Sequence, residues 1–265
     1  MTFVGVYREK VFSPGKVGDD AAILDATLQE LSHMGHGFYT VEAEKLADAC
    51  IDSPFILTMA QSARALDILE AQQKRGAKIL NSVASVRNSY RRPLIRLLQD
   101  AGLPIPRSEV VTTEEAEGRV LSRRAYPYWL KRGDVHAMEV GDVKRIESPE
   151  ELTAALSHFK ERRIGEVLVQ EHIEGDVVKF YGAGRASYFS AFLESSGEDV
   201  TFEADELRRL ACRAAEAVGL EAYGGDAVFT AKRDIMLIDV NDWPSFSRCR
   251  DAAAKSIAGY IAGIL

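Results

Sequence analysis

The chain has 265 residues, 46% of them hydrophobic, and a formal net charge of −7 from 33 Lys and Arg against 40 Asp and Glu. That apolar content supports a sizeable core in one or two domains, or more if they are small, and the acidic balance argues against nucleic-acid binding while leaving room for a local basic pocket. Cys50, Cys212 and Cys249 lie far apart with no metal-ligand, redox or disulfide spacing; no signal peptide or membrane-length apolar run is visible, so the expectation is a soluble, cytoplasmic protein with no nucleic-acid or membrane partner.

The first 80 residues alternate between two periods. "FVGVY" is a short β-rich run, and Ile23, Leu24, Leu28 and Leu31 then recur at helical spacing up to Gly35. "GFYTVEA" reads as a second strand and "PFILTMA" as a buried parallel one. "QSARALDILEAQQKRG" is a helix ending at Gly76, and "AKIL" is a last short strand. Strands alternating with helices predict an open, mostly parallel sheet. "PGKVGDD" lacks the full phosphate-loop spacing and reads as a plain turn, and no G-x-G-x-x-G follows the first strand. Asn81 and Ser82 end this unit.

A helix is predicted from Ser89 with Pro93 early in it, and the two prolines of "LPIP" then mark a boundary. "SEVVTT" and "YPYWLKRG" read as strands around a short acidic helix. Ser148, Pro149 and Glu151 form a capping box that opens another helix. "EVLVQEHI", "DVVKFYGA" and "ASYFSAFLE" read as a three-stranded meander. A helix ending at Gly219, a strand pair around "AKRD" and a final helix complete the chain.

The strand pair carries the most chemistry. Asp226 falls early in one strand and Asp239 late in the next, positions that can face each other in an antiparallel pair. Asn241 is two residues on, so it shares a face with Asp239. Two bare carboxylates this close repel, and a divalent cation removes the penalty. Oxygen-only ligands suit Mg²⁺ or Mn²⁺ completed by phosphate oxygens and water. The other reading is a solvated strand end with scattered acids. Lys131 ends an apolar strand, either reaching a phosphate or lying along the surface. Lys179 and Tyr181 share one face of their strand, lining a cleft or facing water.

These features, in this order, resemble the ATP-grasp superfamily in its small form, which includes D-alanine–D-alanine ligase, glutathione synthetase and the glutamate ligase that modifies a ribosomal protein. The resemblance covers nearly the whole chain and is densest from Arg91 to Phe246. "G-x-D" at Gly224 to Asp226 followed by "D-V-N" is similar to the family's metal pattern, with Asp239 where Glu is usual; "NDWPSF" resembles the turn that follows. "YWLKRG" resembles the lysine strand, which implies an α/β-phosphate contact for Lys131. "VLVQEHIEGD" resembles the adenine hinge. That implies Glu171 as the adenine contact, Gln170, His172 and Ile173 as its neighbours, and Asp176 as the ribose acid. Arg91 falls where the family has a phosphate-binding lysine. The family's glycine-rich loop is replaced by "RGDVHAMEVGDV", where His136 is either a phosphate contact or an ordinary loop histidine.

The resemblance implies mixed α/β and α+β architecture: an N-terminal Rossmann-like pre-ATP-grasp domain (1–84), a central subdomain (85–172) and a C-terminal subdomain (173–265). It implies an ATP- and Mg²⁺-dependent carboxylate–amine ligase working through an acyl phosphate. Its substrates would be a small-molecule or peptide carboxylate and an amine, and a homodimer is allowed. Asp226, Asp239 and Asn241 would hold the metal, and Lys131, Arg91, Lys179 and Arg248 would serve catalysis. Arg248 either holds an acidic substrate or caps the outer face of the final helix. Asp239→Ala is expected to abolish turnover with little loss of stability. A small-molecule kinase on the same fold, similar to the inositol-phosphate kinases, and a nucleotide-binding protein without turnover are the rival readings.

Overall fold

The computed structural model describes residues 1–121, 126–135, 138–139, 141–184, 187–200 and 203–265. Strands β1 (Thr2–Tyr7), β2 (Gly37–Glu42), β3 (Phe55–Thr58) and β4 (Lys78–Leu80) form one parallel sheet in the order β2-β1-β3-β4. Helices α1 (Val17–His33) and α2 (Ala63–Lys74) supply the crossovers. The middle strands are apolar without alternation because both faces are covered: Phe3, Phe55 and Leu57 enter one core cluster, Val4, Val6 and Ile56 another.

Asn81 does more than end this unit. It is fully buried, its Nδ2 donates to the Ala222 carbonyl at 2.7 Å, and its Oδ1 accepts from the amides of Glu221 and Ala222. A short helix α3 (Val83–Asn88) follows, capped by the Ser82 hydroxyl, which accepts from Ser85 N. Six residues are too few to show a helical period, so nothing in the pattern marked it. Helix α4 (Arg91–Asp100) begins after Tyr90.

The second sheet contains β5 (Ser108–Thr112), β6 (Tyr128–Arg132), β7 (Val143–Ile146) and β8 (Glu166–Glu171) in the antiparallel order β5-β8-β6-β7. Helices α5 (Thr113–Leu121) and α6 (Pro149–Glu161) belong to the same segment. The capping box forms, shifted by one residue on its return side. Ser148 Oγ accepts from Glu151 N at 3.2 Å, while the Glu151 carboxylate accepts from Glu147 N at 2.9 Å.

The third sheet is β9 (Asp176–Ala183), β10 (Tyr188–Leu193), β11 (Ala222–Phe229) and β12 (Ile235–Asp242), ordered β10-β9-β11-β12 and antiparallel. The predicted meander is therefore corrected. Only β9 and β10 pair; β8 runs between β5 and β6 in the second sheet. Four successive buried residues, Val167 to Gln170, mark it as a central strand, and the link through Gly175 carries the chain from one sheet to the other.

Two helices pack away from their neighbours in sequence. Leu94 and Leu98 of α4 join the core of the third sheet with residues of α7 (Ala204–Val218). The final helix α8 (Arg250–Gly263) returns to the first sheet, where Ile257, Ala258 and Ile261 share a core with Leu24 and Leu28 of α1. Among the described residues, no helix is long and apolar enough to cross a membrane.

Candidate active site

One face of the third sheet carries a straight cross-strand row. Phe192 of β10 faces Lys179 of β9, Lys179 faces Asp226 of β11, and Asp226 faces Asp239 of β12. Lys179 Nζ donates to Asp226 Oδ1 at 2.9 Å and pairs with Glu194 Oε1 at 3.0 Å. Beyond β12 the row is completed from α4, where Arg91 Nη1 meets Asp239 Oδ1 at 2.5 Å. At the other end Arg248 lies 6.0 Å over the Phe192 ring and donates to the Gly197 carbonyl at 3.1 Å. Arg248 is thus held against the β10 hairpin and is not a helix cap.

A β-bulge aims the row. Asp226 pairs with Asp239, but the next residue, Ala227, pairs with Leu237, so Ile238 is an extra residue in β12. Without it, strict alternation would put Asp239 on the side of Leu237 and Ile235, which are buried in the core. The extra residue turns Asp239 and Asn241 to the open face. It also frees the Ile238 carbonyl, which accepts from Lys131 Nζ at 3.2 Å and Gln170 Nε2 at 3.4 Å. These bonds join the second sheet to the third directly beneath the carboxylates.

Gly225, beside Asp226, is needed for this pairing. A Cβ there would lie 2.3 Å from the Asp239 carbonyl oxygen and 2.4 Å from Phe180. Gly225→Ala is expected to prise β11 from β12 and cost about 2 kcal/mol, read as a lower denaturant midpoint with an unchanged slope. A variant as stable as the parent would show that the strands separate freely at this point.

The electrostatics follow from burial. Lys131 is only 6% exposed, and desolvation pulls its ammonium down to about 8; Arg91 adds to the drop, while Asp239 and Asp226 oppose it. Burial raises the Asp226 carboxyl, with Lys179 opposing and Asp239 reinforcing. For Lys179 burial acts downward, but Asp226 and Glu194 more than offset it and hold the ammonium above its usual range. The chain's own cations, Lys179 on Asp226 and Arg91 on Asp239, oppose the repulsion between the two carboxylates, although Asp239 still helps to raise the Asp226 carboxyl.

The row opens into a cleft of about 680 Å³ that brings together Arg91, Lys179, Arg248, Asp226, Asp239 and Asn241. Lys131 and Gln170 lie below its floor. The other hinge residues do not enter it. Glu171 and Asp176 are exposed, His172 accepts from Trp129 Nε1 at 3.1 Å and contacts Glu174, and Ile173 lines a separate hollow with Thr230 and Met236. His136 lies outside the described residues.

Several contributors carried no sequence signal. Arg8, at the end of β1, donates to the Trp243 carbonyl at 2.8 Å and pairs with Asp20 at 3.3 Å, binding the start of α1 to the "NDWPSF" turn. That turn places Trp243 and Phe246 at φ 29° and 49°, a costly backbone for bulky residues. Complete burial of both side chains offsets the strain. Glu194 and Gln61 were likewise silent, because their partners lie on other strands and sheets. Glu194 pairs with Lys179 of β9, and Gln61 bonds Asp242 of β12.

No family model matches the chain. Over 211 residues it is 25% identical to a probable alpha-L-glutamate ligase of Haemophilus influenzae, covering 73% of this chain and 68% of that protein. Its architecture matches the RimK domain ATP-grasp protein of Sphaerobacter thermophilus with a TM-score of 0.78 and 23% identity, over 98% of this chain and 100% of the other. The chain has the ATP-grasp fold. D-alanine–D-alanine ligase of Bacillus anthracis, solved with ATP, gives the same TM-score of 0.78 at 13% identity, over 99% of this chain and 96% of that one. The resemblance read from the sequence therefore holds for the ATP-grasp fold, including the parallel sheet that precedes the two antiparallel ones.

Among the described residues, no three His, Cys, Asp or Glu side chains form a metal cage. The donor set of the row nevertheless fits a hard cation. Two carboxylates in register and an amide oxygen on one face are few protein ligands, all oxygen, which is how Mg²⁺ is held when phosphate and water complete its shell.

Proposed function

We propose that this ATP-grasp chain is an ATP-dependent ligase that joins a carboxylate to an amine through an acyl phosphate. The observation that carries this reading is the row of Lys179, Asp226 and Asp239 across the third sheet, closed by Arg91 of α4 and open to a cleft in a fold shared with ligases. Asp226, Asp239 and Asn241 would hold Mg²⁺ or Mn²⁺. The cation supplies charge neutralisation at the phosphates during phosphoryl transfer.

The chain's own groups do the rest. Lys179 and Arg91, which line the same cleft as the two carboxylates, would be available to phosphate oxygens there. Lys131, buried and poorly solvated, gains most from an anionic partner. Arg248 stands at the far end of the row with its guanidinium 6.0 Å from the Phe192 ring centroid, and its fork suits a substrate carboxylate. The adenine would rest toward Gln170, Glu171, His172 and Ile173, with Asp176 at the ribose. No nucleophilic side chain is required, because phosphate activates the acid and the amine is the attacking group. We read the chain as three functional parts, 1–84, 85–172 and 173–265, with the chemistry between the last two.

Hydroxylamine tests the reaction class. With the correct acid and ATP present, ADP release is expected to be matched by a near-equal amount of hydroxamate, because an acyl phosphate is electrophilic and a phosphorylated alcohol is not. Arg248→Ala is expected to weaken the acid's apparent affinity more than that of ATP. ADP accompanied by a stable phosphorylated alcohol and no hydroxamate would replace the ligase with a kinase.

A further inference from the structure

Gln61 stands in the turn between β3 and α2, on the first sheet, and is 3% exposed. It is gripped at three atoms. Its side-chain Nε2 donates to Asp242 Oδ1 at 2.8 Å, its carbonyl accepts from the Tyr90 hydroxyl, and its amide donates to Glu9 Oε2 at 3.0 Å. Glu9 is itself buried and takes the Ser62 amide on its other oxygen at 3.0 Å. Ser89 Oγ reaches the same Asp242 oxygen at 3.4 Å.

Two of the three partners of Gln61, Asp242 and Tyr90, adjoin the row. Asp242 ends β12 directly after Asn241 and three residues after Asp239, and Tyr90 immediately precedes Arg91. One residue in the turn after β3 therefore holds the end of the strand that carries Asp239 and Asn241 and the helix start that carries Arg91. The ladder between β11 and β12 ends at the pair Tyr223–Asp242, and the chain then enters the turn through Trp243. Beyond that pair the backbone is held by Trp243 N, which donates to the Ala222 carbonyl at 3.0 Å, and by Arg8, which reaches the Asp242 and Trp243 carbonyls at 3.3 and 2.8 Å, while Gln61 holds the Asp242 side chain.

We infer that Gln61 is a positioning residue for the divalent-cation site. Clamped by Glu9, it sets where the oxygens of Asp239 and Asn241 stand relative to Arg91. Mg²⁺ demands near-ideal octahedral geometry, so a small displacement of these oxygens costs far more in metal affinity than in folding. The inference rests on the metal reading above and concerns a residue that does not touch the cation.

The test compares AMPPNP binding with excess Mg²⁺ and with EDTA, on the full chain, by calorimetry. In the wild type Mg²⁺ is expected to tighten binding. In Gln61→Met, which keeps the length and removes the amide, that tightening is expected to shrink by about tenfold while the EDTA value stays within about twofold. Asp242→Asn retains the Oδ1 acceptor and is expected to keep the wild-type increment. If Gln61→Met does not fold, Tyr90→Phe removes only the hydroxyl that grips the carbonyl and is expected to reduce the same increment. An unchanged increment in the folded variant, or equal weakening with and without Mg²⁺, overturns the positioning role. A wild type with no Mg²⁺ increment overturns the metal reading, and the inference falls with it.

Discussion

Asp239→Ala is expected to lose metal-dependent ATP turnover by about 10³-fold and to destabilise the fold at the same time. The second half differs from what the sequence led us to expect, which was a functional loss with little change in stability. Arg91 explains the difference. Its side chain is 4% exposed and meets Asp239 at 2.5 Å, with Asp239 15% exposed. Removing the carboxylate leaves a buried guanidinium uncompensated, at a cost of about 3 kcal/mol. Asp239→Asn separates the two effects, because the amide keeps an oxygen for Arg91 while losing the charge the cation needs. It is expected to retain most of the stability and none of the turnover. Denaturant unfolding and ADP release on both variants give the comparison. Full Mg²⁺-dependent ATPase in either would remove Asp239 from the metal site, and an Ala variant as stable as the parent would show that Arg91 does not depend on it.

Lys131→Met is expected to go in the opposite direction on stability. The fall of this ammonium from 10.5 to about 8 corresponds to about 3 kcal/mol spent on keeping a buried charge at neutral pH. Methionine removes that cost and gives up the bond to Ile238, worth about 1 kcal/mol. The variant should therefore be more stable by about 2 kcal/mol at pH 7, while its ATP affinity collapses. The pH dependence has a definite sign. Below pH 8 the lysine is charged both folded and unfolded, so the penalty is fully present. Between about 8 and 10.5 the unfolded chain binds the proton and the folded chain does not, so the wild type gains stability from this group as pH rises. The stability gap between variant and wild type should thus narrow across that window. A gap constant from pH 7 to 10 would mean that Lys131 is not strained by burial.

Much of this site was legible because its residues lie close in sequence within a regular pairing. Asp226, Asp239 and Asn241 sit on a hairpin, and an antiparallel hairpin lets two positions be matched by counting outward from its turn. The extra residue at Ile238 could not be counted in advance. The match of Asp226 with Asp239 survives it because the turn "AKRD" and the bulge together shift the register. The parallel sheet was equally readable, since β1 and β3 are short unbroken apolar runs and the helices that follow them keep a helical period. β7 was hidden for the opposite reason. Its residues Val143 to Ile146 place two adjacent charges, Lys144 and Arg145, between two apolar residues without alternation, and Val143 is exposed, so the segment looks like the loop before it. β8, β9 and β10 each show a strand pattern, but alternation says nothing about which sheet a strand joins. Gln61, Arg8 and Asn81 act across 141 to 235 residues of chain, a separation to which no local pattern is sensitive.

The return of α8 to the first sheet has a bearing on how the molecule comes to be folded. Phe3, Leu24 and Phe55 share their core with Ile257 and Ile261, so this cluster cannot close until Ile261, about 200 residues after Phe55, has been synthesised. The opening 80 residues would therefore emerge with an uncovered apolar flank and wait for a partner that arrives late. Contacts of such long sequence separation are entropically slow to form. In the interval that flank is open to capture by other chains.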